Sequence, residues 1–130
     1  MSDITPYARL GANRVAAIVG RFYDLMESDP AYAALRAMHA EDLAPMRSSL
    51  TGFLTAWLGG PRDWFSERPG TCVMSLHGAM PITAALGEQW IAAMDHAIAA
   101  EPGIAPDFAA TLSTALGRVA RAMARIPETA

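Results

Sequence analysis

The chain has 130 residues, 52% of them hydrophobic and 18% charged, with a formal net charge of −3. That length suits one domain, residues 1–130, around one core, and the composition excludes disorder. There is no basic cluster and no long apolar run, which disfavours nucleic-acid binding and a membrane span.

The opening stretch MSDITPYARLGANR carries no apolar signal region, and the single cysteine, Cys72, has no partner for an internal disulfide. Both fit a reducing cytoplasm. In NRVAAIVGRFYDLMES, Val15, Ile18, Val19, Phe22, Tyr23 and Met26 recur at three- and four-residue spacing. They predict an amphipathic helix with one apolar stripe. Asp29-Pro30 ends it and opens a short helix, PAYAALRAM, since proline suits a first helical turn. The segment EDLAPMRSSLTGFLTAWLGGP predicts a further helix, with Met46, Leu50, Phe53, Leu54, Trp57 and Leu58 on one face. Gly59-Gly60-Pro61 stops it,.

From Arg62 to Thr71 the chain reads as a loop, with Pro69-Gly70 as a turn signal,. Val73 to His77 suits about one helical turn, broken by Gly78 and Pro81. Thr83 is placed to cap AALGEQWIAAMDHAIAA, whose inner side carries Leu86, Trp90, Ile91, Met94 and Ile98,. The last helix, PDFAATLSTALGRVARAMARI, aligns Phe108, Leu112, Leu116, Val119 and Met123. No strand alternation interrupts this pattern. The expected architecture is all-α, with four long helices and two or three short ones.

His77 stands apart from this packing logic. It lies on a weak helical segment after a long loop. An imidazole in an apolar stretch carries two nitrogens that need partners. Tyr23 and Trp90, on core-facing stripes, each bring one polar hydrogen into apolar surroundings,. Methionines 38, 46, 74, 80 and 94 are numerous around these positions, and flexible apolar side chains suit the wall of a pocket. From spacing alone His77 also reads as a solvent-facing or carbonyl-bonded loop histidine. Tyr23 and Trp90 also read as core residues.

GRFYDLM, FLTAWLGGP, HGAMPI and EQWIAAM occur in that order. So do a histidine five residues before Ile82 and a tryptophan thirteen residues after that histidine. The set resembles the group II truncated haemoglobins over roughly Val15 to Ile98. The resemblance implies a globin-like two-on-two helical sandwich enclosing haem b (iron protoporphyrin IX), with His77 as the proximal iron ligand. It places Tyr23 and Trp90 on the distal side. There a phenol or indole hydrogen donates to a dioxygen ligand that carries partial negative charge. One such bond is worth about 1–3 kcal/mol, or about tenfold to a hundredfold in retention.

By the same resemblance Met38, Met46, Leu50, Phe53, Met74, Met80, Ile82 and Trp90 surround the cofactor. Two positions depart from the family's pattern. Met38 replaces the usual phenylalanine, tyrosine or histidine. Leu76-His77-Gly78-Ala79-Met80 replaces a basic residue before the histidine and a phenylalanine after it. Arg62, with Trp64 and Arg68 behind it, is the candidate partner for the haem propionates. The implied function is reversible binding of dioxygen and related ligands such as NO, CO and peroxide. NO dioxygenation or weak peroxidase chemistry, fed by an unidentified reductase, is a further expectation. Met46 falls where many globins place a distal histidine, so no general base for splitting peroxide is evident. The chain is expected as a monomer or homodimer. The alternative from another class is a haem-free helical module for an apolar ligand or a protein.

Overall fold

A computed structural model describes residues 5–67 and 82–123. The helices are α1 (Pro6–Leu10), α2 (Ala12–Ser28), α3 (Ala33–Ala37), α4 (Ala44–Trp57), α5 (Asp63–Ser66), α6 (Ala84–Ala100) and α7 (Pro106–Met123). A 3-10 turn, Pro30–Tyr32, leads into α3. Helix α2 packs on α4, α6 packs on α7, and α2 joins the two pairs through α6. This two-pair, two-layer arrangement is the one the resemblance implies.

The predicted stripe of α2 is its buried face. Val15, Ile18, Val19, Phe22, Tyr23 and Met26 are all within a few per cent of complete burial. From the other layer Ile91, Met94, Ile98, Leu112 and Leu116 complete the core. A buried aliphatic or aromatic side chain of this kind contributes about 1.5–3 kcal/mol. Asp29 closes the first long helix as expected. Its carboxylate accepts from the Ala31 amide at 3.0 Å and so caps the 3-10 turn,. Thr83 caps α6, its hydroxyl accepting from Leu86 N at 3.2 Å.

Three local readings need correction. Helix α1 lies before the first predicted helix, and its five residues are too few to show a period. Thr5 Oγ1 accepts from Ala8 N at 3.0 Å, Pro6 opens the turn, and Leu10 is buried. The expected loop from Arg62 begins instead with α5. It forms because Trp64, only 7% exposed, packs on α4 beside Gly52 and donates its indole N–H to Ser49 Oγ at 3.0 Å. The single apolar face expected on α4 is two faces. Leu54 and Leu58 are buried, whereas Met46 and Trp57 are 39% and 36% exposed. At 100° per residue, Met46, Phe53 and Trp57 lie a quarter-turn or so from the Leu54–Leu58 line.

Candidate functional site

Tyr23 sits about one turn and a half before the end of α2, on its buried stripe. It is 2% exposed. Phe22 meets its ring edge-on at 5.0 Å, and His39 does so from the chain after α3 at 5.9 Å. The guanidinium carbon of Arg47 on α4 lies 5.7 Å from the ring centroid. Among the described residues no hydrogen bond reaches the Tyr23 hydroxyl, and no buried side-chain polar atom is both sealed from solvent and unsatisfied. The phenol oxygen therefore borders open space inside an apolar frame. Burial pushes the Tyr23 pKa up to about 12, against the pull of the Arg47 charge,. The hydroxyl is a protonated donor throughout the neutral range.

Trp90 on α6 is half-buried and stacks edge-on against Phe22 at 5.2 Å. Phe22 thus bridges the two expected donors, Tyr23 and Trp90, a contact that its place on the buried stripe did not reveal. The indole N–H of Trp90 also makes no hydrogen bond among the described residues. Ile82 and Met38 are half-buried. Met46, Leu50 and Phe53 form an i, i+4, i+7 row on α4, and none of the three is fully covered,. Such a row of incompletely buried large apolar side chains suits a flat apolar ligand.

The polar surroundings were less legible. His39 carries no motif of its own in the sequence, yet its ring lies against Tyr23 while its Nδ1 is 2.9 Å from the Leu35 carbonyl. Arg47 carried no sequence signal beyond its place beside Met46. The complementary signal was Asp24 and Glu27 on the neighbouring helix, which Arg47 pairs with at 2.8 and 3.1 Å. These contacts raise the Arg47 pKa, with the Asp24 hydrogen bond the largest cause. Arg62 is exposed at the start of α5. Trp64 directs its only donor to Ser49. His96 is exposed on α6. His77, Met74, Met80, Arg68 and Cys72 lie outside the described residues. Among those described, no helix is long and apolar enough to cross a membrane.

Residues 5–124 match the bacterial-like globin family. The chain is 30% identical over 95 residues to the group 2 truncated hemoglobin YjbI of Bacillus subtilis, covering 70% of each chain. It resembles the cold-adapted truncated hemoglobin of Pseudoalteromonas haloplanktis TAC125 with a TM-score of 0.89 and 30% identity, covering 94% of this chain and 98% of that one. Against the group II 2-on-2 hemoglobin of Agrobacterium tumefaciens the TM-score is 0.90 and the identity 26%, with 98% of both chains covered.

Proposed function

Because this chain belongs to the bacterial-like globin family, among the group II truncated haemoglobins, we propose that it binds dioxygen and related diatomic ligands reversibly at haem b, with His77 as the proximal ligand and Tyr23 and Trp90 as distal donors. The globin family implies haem and diatomic ligands such as oxygen. The observation that carries the assignment of roles is the Tyr23 hydroxyl, a deeply buried phenol that finds no acceptor among the described residues. A phenol hydroxyl that borders open space inside an apolar frame, with no protein acceptor to claim it, is free to donate to a small ligand placed there,.

When bound, haem supplies an iron atom with one coordination position open to a small ligand. The protein does the rest. The His77 imidazole holds the cofactor from one side. Met38, the Met46–Leu50–Phe53 row, Ile82 and Trp90 exclude water from it, together with Met74 and Met80. Arg62 meets the propionate edge. Trp64 supports that edge by packing rather than by its N–H, which Ser49 already accepts. Tyr23 donates one hydrogen to the small ligand and Trp90 a second. Burial keeps the phenol protonated, so the donor is always loaded at neutral pH.

The expected physiological role is oxygen binding in the cytoplasm, by one domain that acts as a monomer or homodimer. Oxidation of nitric oxide would need an electron donor from a separate reductase. Met46 offers no proton acceptor, so peroxide cleavage is expected to be inefficient. The decisive measurement is the absorption spectrum of the hemin-reconstituted protein in ferric, ferrous and carbon-monoxide forms. An intense band near the violet edge that shifts on reduction and again on carbon monoxide is the expected result. A folded, colourless protein that ignores hemin would favour the haem-free helical module instead.

A further inference from the structure

Packing, and no hydrogen bond among the described residues, holds the Tyr23 phenol. Arg47 reaches across from α4 to the turn of α2 that carries this tyrosine. Its Nη1 donates to the Gly20 carbonyl at 3.0 Å. Its Nη2 donates to Asp24 Oδ1 at 2.8 Å and to Glu27 Oε1 at 3.1 Å. Residues 20, 24 and 27 follow i, i+4, i+7 spacing and form one face of α2. Tyr23 stands at the border between that face and the buried stripe.

The two ion pairs are not placed to add much stability. Asp24 and Glu27 are 70% and 50% exposed, and exposed pairs contribute little. What the planar guanidinium fork supplies is geometry, because three acceptors fix its plane and position. A cation within about 6 Å of an aromatic centroid also attracts the ring. We infer that Arg47 is a positioning residue for Tyr23, setting the register of α4 on α2 and holding the phenol where its hydroxyl meets the small ligand. The Arg47 charge also favours loss of the phenol proton, opposing burial. A phenol so polarised is a stronger donor. This role rests on the distal function proposed above for Tyr23.

The test uses haem-loaded protein carrying Arg47→Met or Arg47→Lys, each alone and combined with Tyr23→Phe. Oxygen release and the C–O stretching band of the carbon-monoxide form are measured. Arg47→Met is expected to speed release about threefold to tenfold, a coupling typical of contacting residues, and to shift the band. Arg47→Lys restores part of the loss, since it keeps the charge but not the fork. In the Tyr23→Phe background neither substitution changes the rate or the band. Equal changes in both backgrounds, or none with Tyr23 present, overturn the positioning role. Tyr23→Phe alone releasing oxygen at the parental rate overturns the distal role itself, a separate result. If Arg47→Met does not fold, the Arg47→Lys cycle carries the same comparison.

Discussion

At the scale of the residue, the distal role proposed for Tyr23 rests on a buried ring whose hydroxyl borders open space and finds no acceptor among the described residues. Tyr23→Phe removes one donor and nothing else from the packing. Stopped-flow oxygen release should accelerate about tenfold to a hundredfold if the lost bond is worth 1–3 kcal/mol, and Trp90→Phe should act in the same direction. Unchanged rates in both variants would remove the pair from the distal role. The phenol also makes an alkaline prediction. Its pKa is raised from 10.0 to about 12 in the folded chain. Below the unfolded value both states hold the proton, so stability is fully present. Above it the unfolded chain ionises first, and stability falls until the folded phenol also titrates. Haem-free protein should lose about 2 kcal/mol between pH 10 and 12 through this group,. Urea melts across that range should show a correspondingly smaller loss in Tyr23→Phe.

At the scale of the element, the end of α4 explains why two glycines stand together. Gly59 adopts φ +98, which suits a residue without a Cβ,. Gly60 has a different reason: a Cβ there would lie 2.7 Å from the Tyr7 ring. The first helix lies directly on the Gly-Gly corner, with Tyr7 N donating to the Leu58 carbonyl at 3.0 Å. Gly60→Ala should therefore destabilise the fold by about 1–3 kcal/mol, the usual cost of overpacking. Gly20→Ala, whose Cβ would meet nothing nearer than 3.9 Å, should be neutral or stabilising by up to about 1 kcal/mol. Denaturant midpoints of the two variants check the contrast. The GGP motif was legible as a helix stop, but the docking of α1 on it was not. That contact joins residues about fifty positions apart and leaves no local period.

At the scale of the whole molecule, the two helix pairs bury a continuous apolar core while the α4 row and Trp90 stay incompletely covered. Haem binding should therefore act as a ligand of the native state. At a concentration about 100 times its Kd it adds about 2.7 kcal/mol. That corresponds to a rise of roughly 10 °C in Tm for a domain of this size, readable by calorimetry with and without hemin. His77→Ala should sharply speed haem loss to an acceptor protein and abolish most of the thermal gain. Retention equal to the parent would show that another group holds the iron.

The sequence by itself determined the helical class, the positions of the four long helices, the helix stop at Asp29-Pro30, the Thr83 cap and the buried stripe of α2. All of these depend on neighbours within a few turns, where spacing and capping chemistry act. It also supplied the ordered motifs that led to the family. Tertiary structure alone decided that α4 has two apolar faces, that Trp64 turns toward Ser49, and that Arg47 and His39 flank Tyr23. Those outcomes depend on which surfaces meet across the fold. A side chain's exposure and hydrogen-bond partner are set by distant residues, whose identity no helical period encodes.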